Sequence, residues 1–166
     1  MYATSTNFDN EDERLKALKR LGILSSKPDE RFDTITKKLT EEFKVPISTV
    51  SIIDKDKEWF KSCQGLDQAE GKREASFCGH AMYSKHLFIV EDTLKDQRFA
   101  DNPYVIGPPH IRFYAGVALH DQQTKLPIGV LCIKDTKPRV LSMDEINKLV
   151  ALGEETEMML NEPTNK

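Results

Sequence analysis

The chain has 166 residues and a formal net charge of −3, with 39% hydrophobic and 31% charged residues. These values are typical of one folded globular domain and exclude a fibrous repeat or a disordered chain. Lysine and arginine are spread along the sequence, and no apolar run approaches the roughly 20 residues of a membrane span, so neither nucleic acid nor a membrane is an expected partner.

The amino-terminal part of the chain predicts two helices. Residues 1–10 are polar and acidic, are expected to be flexible, and do not form a secretory signal, so the expected location is the cytoplasm. Leucines recur on one side of residues 11–21, acidic residues crowd the first turn, and Gly22 ends this helix. A second helix opens near Pro28 and repeats apolar residues up to Phe43.

A strand hairpin, a polar loop and a short helix are predicted next. Residues 47–53 are rich in β-branched side chains, and a charged turn leads from them into a second strand at residues 58–64. Residues 65–75 are polar and read as a loop. Ser76 then has the right chemistry to cap a short helix.

The following segment combines a brief strand with a long loop. Residues 87–90 predict the strand, and residues 91–110 form an excursion broken by several prolines. Loops of this length commonly serve a function.

The carboxy-terminal part predicts a second hairpin and a last helix. Its strands, residues 113–119 and 128–133, are apolar on both faces, so other elements must cover both faces. Ser142 and Glu145 have the spacing of a capping box for a helix that runs to about residue 160. The tail after it is expected to be flexible over residues 161–166.

This order of elements predicts one α+β domain over residues 11–160, in which helices pack on an antiparallel sheet. Several stretches, in the same order, resemble one branch of the GAF domain family. They are ERLKALKRLGIL at 13–24, WFKS at 59–62, SFCGHA at 76–81, DQRFADNP at 96–103, IRFYAGV at 111–117, GVLCI at 129–133 and LS at 141–142.

The resemblance implies a GAF-like central antiparallel sheet with the terminal helices on one face and a loop-roofed pocket on the other. In relatives, this branch typically lies ahead of histidine kinase or diguanylate cyclase domains. The chain ends after the last helix, so we expect the output to pass to a separate signalling protein. The resemblance also implies a homodimer through the terminal helices, residues 11–21 and 142–160.

Four residues are candidates for ligand binding: Cys78, His80, Arg112 and Tyr114. Cys78 and His80 lie at a helix start, where the helix dipole lowers a thiol pKa, although a structural role in the core is the favoured interpretation of both. Phytochrome-like relatives attach a bilin to a cysteine that histidine follows directly. Gly79 intervenes here, so no covalent chromophore is expected.

The other two candidates lie where the long loop re-enters the sheet. Arg112 is placed either to clamp an anion or to form an ion pair with a loop carboxylate such as Asp96 or Asp101. Tyr114 offers the pocket an apolar ring with a polar tip.

The sequence contains no P-loop, HExxH, GxSxG or paired-glycine motif, so no catalytic residue is assigned. The three cysteines lack a CxxC spacing and the histidines lack ligand spacing, so we expect reduced thiols and no metal. Cys132 alternates with core residues on a strand, and Cys63 is a candidate neighbour across the sheet.

The leading hypothesis is a non-catalytic sensory or regulatory domain that binds an unidentified small molecule or a partner protein. Its cofactor, if any, is left unassigned. Three alternatives stay open: a free methionine-(R)-sulfoxide reductase that uses pocket cysteines, a cyclic-nucleotide-binding GAF domain, and a ligand-free module that only mediates protein association. A pocket without solvent would favour the last of these.

Overall fold

The chain folds around an antiparallel sheet with helices on both faces, which confirms the predicted fold class. This computed structural model describes residues 2–4, 9–85 and 87–162. The flexible ends expected at residues 1–10 and 161–166 lie partly outside these ranges and stay predictions. Within the described ranges, no helix is long and apolar enough to cross a membrane.

The elements follow the predicted order, with two additions. The helices are α1 (Glu11–Leu21), α2 (Glu30–Phe43), α3 (Phe77–Ala81), α4 (Pro103–Ile106) and α5 (Met143–Leu160), with short 3-10 turns at Arg73–Ala75 and Thr93–Lys95. The strands are β1 (Ile47–Ile53), β2 (Lys57–Gln64), β3 (Glu70–Lys72), β4 (Leu87–Val90), β5 (Phe113–His120) and β6 (Pro127–Asp135). The additions are β3 and α4, which form inside the two predicted loops.

The described strands form a six-stranded sheet in the order β3-β2-β1-β6-β5-β4. Both predicted hairpins are present, β1 with β2 and β5 with β6, and β1 pairs with β6 to join them. The edge strand β3 has exposed or half-exposed residues without an apolar pattern, so pairing with β2 is what makes it a strand.

One face of the sheet packs against the terminal helices α1, α2 and α5 and forms the larger apolar core. Alternate strand residues such as Val50, Val117 and Leu131 point into it, where Leu39 and Leu149 of the helices meet them. All five are at most 8% exposed. Because successive side chains of a strand point to opposite faces, the remaining residues of these strands lie on the other face of the sheet. There they make a second, separate set of contacts.

Local capping fixes where the helices begin. The Asp29 carboxylate accepts a hydrogen bond from the Arg31 backbone N–H, so α2 starts at Glu30 and Pro28 precedes the cap instead of lying in the first turn. At α5 the predicted capping box forms, since Ser142 and Glu145 each accept from the other's backbone N–H.

Candidate functional site

The second face of the sheet is the floor of the candidate site. It carries Thr49 from β1, Tyr114 from β5, and Cys132 and Lys134 from β6, all at most 5% exposed. The short helix α3 lies over β5 and β6 and adds the buried Cys78. The floor is thus enclosed and chemically mixed, unlike the apolar face under the terminal helices.

Stacked aromatic rings fill much of the space above this floor. The Phe77 ring stacks on Phe99 at 4.4 Å between centroids and on Tyr114 at 5.3 Å, and Phe88 meets Phe99 edge-on at 6.1 Å. Such contacts stabilise each other beyond the area they bury. Together with α3, the rings close most of the recess that the fold leaves on this side.

A small cavity of about 30 Å³ remains at the edge of the stack. Two segments meet over it and are named here the first roof loop (residues 65–75) and the second roof loop (residues 91–110). Leu66 and Gln68 of the first roof loop and Tyr104 of the second line the cavity. A space of this size holds water-sized molecules, so a larger ligand requires the roof loops to separate.

Two buried residues of opposite charge, Glu58 of β2 and Lys134 of β6, also line the cavity. Each is 5% exposed, and Glu58 Oε2 has no hydrogen-bond partner among the described residues. Burial disfavours the charged form of Lys134, yet the nearby Cys132 and Glu58 outweigh burial and raise its pKa. Its ammonium lies 6.0 Å from the centroid of the Tyr114 ring.

Beside the cavity, Cys78 and Cys132 lie in one cluster of buried side chains. The Tyr114 hydroxyl donates to Cys78 Sγ at 3.0 Å, and Thr49 Oγ1 lies 3.0 Å from Cys132 Sγ. Burial raises the pKa of Cys78 well above its usual value. Burial acts the same way on Cys132, but the neighbouring Cys78 thiol, the charge of Lys134 and the Thr49 hydroxyl lower its pKa to about 7.

The third thiol, that of Cys63, lies apart from Cys78 and Cys132. Thr49 is the register partner of Cys63 on one side and of Cys132 on the other, so a whole strand lies between the two cysteines. The Cys63 thiol instead points to the Leu66 carbonyl at 3.7 Å. The partner of Cys132 is therefore Cys78, which the sequence places 54 positions away.

Of the four predicted site residues, the structure brings Cys78 and Tyr114 together and places the other two elsewhere. His80 Nε2 lies 3.3 Å from the Ala3 carbonyl oxygen, and burial lowers the pKa of its ring. Arg112 Nη1 donates to the carbonyl of Val105 at 2.8 Å and to that of Ile111 at 3.3 Å. Arg112 thus holds α4 in the second roof loop through backbone oxygens.

Sequence reasoning missed Glu58 and Lys134. A usable signal existed for Lys134, since it lies two positions after Cys132 on a strand and therefore shares its face. The irregular register of β2 opposite Val50 and Ser51 obscured the corresponding signal for Glu58.

An ion-pair network connects the first roof loop to α1. Arg73 Nη1 lies 2.6 Å from Glu11 Oε2, and Arg14 Nη2 lies 2.9 Å from the same oxygen. Arg73 also donates to the Asp54 carbonyl at 3.1 Å, while Arg14 donates to the Ile53 carbonyl at 2.7 Å. Burial works against ionisation of Glu11, but the two arginines lower its pKa to about 2. The roof and the terminal helix therefore share a buried charge cluster.

Within the described residues, no group of three or more His, Cys, Asp or Glu side chains has the geometry to hold a metal ion.

Comparisons with known proteins agree with this architecture. The GAF domain family model matches residues 27–160. The chain is 41% identical over 137 residues to a cyclic di-GMP phosphodiesterase of Pseudomonas aeruginosa; the match covers 82% of this chain and 23% of that protein. The chain thus spans about a quarter of the length of that relative.

Solved structures resemble the fold at low sequence identity. The GAF domain of an Acinetobacter phosphoenolpyruvate-protein phosphotransferase has a TM-score of 0.63 at 18% identity, covering 89% of this chain and 92% of that one. A type II free methionine-R-sulfoxide reductase from Thermoplasma acidophilum has a TM-score of 0.64 at 15% identity, covering 79% and 90%. At such identities the likeness shows the fold alone.

Proposed function

The chain belongs to the GAF domain family, and from that premise we propose that it is a non-catalytic sensory or regulatory domain in signal transduction, which binds a small molecule beneath its two roof loops. The observation that carries this proposal is the buried pair Glu58 and Lys134, which faces a cavity while one carboxylate oxygen has no hydrogen-bond partner among the described residues. A buried polar atom without a partner costs free energy that a bound ligand recovers.

The chemistry of this pair favours a small polar ligand. A carboxylate binds an N–H or ammonium donor and a lysine binds an anionic or carbonyl oxygen, so the ligand carries both a donor and an acceptor. Because the cavity admits only water-sized molecules as it stands, binding of anything larger displaces a roof loop. The first roof loop is tied to α1 through Arg73 and Glu11, so ligand binding biases the position of a terminal helix.

A thermal-shift screen of nucleotides, amino acids and small carboxylates tests this proposal, together with native mass spectrometry of the purified chain. We expect at least one compound to raise the melting temperature of the wild type and to have no effect on the Glu58→Gln variant. Glu70→Gln, an exposed change in the first roof loop, is the matched control and should respond like the wild type. No retained compound and no shift with any compound would contradict the proposal.

We propose that the signal passes from this domain to an enzyme of cyclic di-GMP turnover, which we expect to be found in the cytoplasm. Support comes from the relative in Pseudomonas aeruginosa, which bears the name of such an enzyme and matches 82% of this chain. Replacing the matching segment of that relative by this chain and measuring cyclic di-GMP hydrolysis tests the proposal. Hydrolysis that responds to the ligand identified above would support it, and hydrolysis indifferent to that ligand would contradict it.

We also propose that the chain forms a homodimer through α1 and α5. Exposed apolar side chains on α5 support this, since Met143 is 69% and Met158 is 64% exposed. Light scattering of the wild type and of a Met143→Glu, Met158→Glu double variant measures the mass in solution. A monomeric wild type would contradict the dimer, and a dimeric double variant would place the interface elsewhere.

The aromatic stack and the small cavity favour the ligand-free association module as the second candidate. It predicts a null result in the ligand screen together with retained dimerisation. The reductase alternative predicts reduction of free methionine sulfoxide by the wild type and none by Cys78→Ser, which a single assay decides.

A further inference from the structure

The proposed ligand site does not use the thiols of Cys78 and Cys132, which lie buried beside it. Both side chains are 0% exposed and belong to one buried cluster at the contact between α3 and β6. The Tyr114 hydroxyl donates to Cys78 Sγ at 3.0 Å and lies close to Gly116, which is the register partner of Cys132. Thr49 completes the arrangement at 3.0 Å from Cys132 Sγ.

This arrangement stabilises a thiolate on Cys132. The Thr49 hydroxyl, 3.0 Å away, donates to the sulfur once Cys132 is ionised, and the Lys134 ammonium supplies a positive charge nearby. The thiolate is the nucleophilic form of cysteine. These neighbours lower the pKa of Cys132 and so favour its thiolate, whereas burial raises the pKa of Cys78 and keeps it a thiol.

The full burial of both thiols favours a small oxidant. Lys134 lines the cavity and also acts on Cys132, so the cavity lies next to the thiol pair. Its volume of about 30 Å³ has room for hydrogen peroxide, which is little larger than water.

We propose that Cys78 and Cys132 form a site of reversible oxidation, in which hydrogen peroxide converts the two thiols into an intramolecular disulfide that ties α3 to β6. This inference goes beyond the proposed function and does not depend on a ligand in the cavity.

Hydrogen peroxide oxidises the two thiols in two steps. The Cys132 thiolate attacks one peroxide oxygen, the O–O bond breaks, and hydroxide leaves and takes a proton from solvent, which gives a sulfenic acid. The Cys78 sulfur then attacks the sulfenic sulfur, the S–O bond breaks, and the departing hydroxide takes the thiol proton and leaves as water. Overall, two thiols are oxidised and one peroxide is reduced to two waters, and a cellular dithiol reverses the change.

Peptide mapping of the wild type tests the proposal directly. Trypsin places the three cysteines in separate peptides, residues 62–72, 74–85 and 126–134. After treatment with a small excess of hydrogen peroxide and blocking of free thiols, we expect a cross-link between peptides 74–85 and 126–134, with the mass of two hydrogens lost. Peptide 62–72 should carry the blocking group, and dithiothreitol should release the cross-link.

Variants add a rate measurement and controls. Cys63→Ser should form the same cross-link at the wild-type rate, because that thiol lies on the far side of β1. Lys134→Met, in which the tryptic peptide of Cys132 extends to residue 139, should form the disulfide about tenfold more slowly, since removing the ammonium raises the pKa of Cys132 and lowers its thiolate fraction.

Several outcomes would overturn the inference: a cross-link through Cys63, irreversible oxidation of Cys132 without a cross-link, or no reaction in the folded wild type. None of these bears on the ligand screen with Glu58→Gln, so the two proposals fail separately.

Discussion

Tyr114 links the aromatic stack to the thiol pair, and Gly116 on the same strand face leaves room for it. A Cβ atom at position 116 would lie 2.5 Å from the Tyr114 hydroxyl and 2.7 Å from Val130 Cγ1. Tyr114 is fully buried, so its ring has nowhere to move without disturbing its stacked neighbours.

We therefore predict that Gly116→Ala lowers the free energy of unfolding by about 1–3 kcal/mol through overpacking. Gly71→Ala is the matched control, because its added Cβ would find its nearest neighbour, the Tyr104 hydroxyl, at 3.5 Å. The control should change stability by less than about 0.5 kcal/mol. Urea denaturation of both variants measures the difference, and equal stabilities would show that the Tyr114 ring is not confined as described.

A second prediction at the level of single residues concerns pH. Cys132 faces the Cys78 thiol on α3, the Tyr114 hydroxyl on β5, Glu58 on β2 and the Lys134 ammonium on its own strand. The net effect lowers its pKa from 9.0 to about 7, so the thiolate is lost as the pH falls through 7. The rate of peroxide oxidation should accordingly rise with pH to a midpoint near 7 and then level off.

Stopped-flow rates for the wild type and Cys63→Ser across neutral pH measure this midpoint. A midpoint near 9, the usual value for a free thiol, would contradict the stabilised thiolate.

At the scale of elements, the buried charge cluster fixes the first roof loop to α1. Glu11 is 6% exposed and lies between Arg14 and Arg73, which are 0% and 2% exposed. Removing one member of a buried ion pair leaves uncompensated charge in the interior, and this typically costs about 3–5 kcal/mol.

We predict that Glu11→Gln destabilises the protein by about this amount at neutral pH. The lowered pKa of Glu11 sets the pH dependence: its contribution is fully present above pH 4.5 and is lost as the pH falls towards 2. The stability difference between wild type and Glu11→Gln should therefore shrink over that window. Glu13→Gln, an exposed change on the same helix, is the control and should leave stability unchanged at both pH values.

Local sequence signals determined most of these elements but not the contacts between them. Periodicity and capping residues such as Ser142 located the helices and hairpins, because these signals act within a few residues. Strand β3 was missed because its pairing with β2, not its own pattern, defines it. The shared buried cluster of Cys78 and Cys132 and the use of backbone carbonyls by Arg112 depend on tertiary placement, which spacing in one sequence does not encode.

At the scale of the whole molecule, the sheet separates two environments that the chain uses differently. One face carries an apolar core beneath the terminal helices, and the other carries buried charges, thiols and a small cavity beneath the roof loops. The ion pair between Arg73 and Glu11 connects the roof with a terminal helix without passing through the sheet. A displaced roof loop therefore has a direct mechanical connection to α1.

We predict that removal of this ion pair increases local unfolding in both the first roof loop and α1. In Arg73→Gln, Glu11 keeps Arg14 but loses its bond to the roof, so amide hydrogen exchange should become at least about tenfold faster in both residues 65–75 and α1. Exchange in α5, which has no member in this cluster, should stay unchanged. Lys72→Gln, an exposed neighbouring change, is the control for altered charge in the loop. Faster exchange confined to residues 65–75 would mean that α1 does not sense the roof, and a signal from the cavity would then require another route.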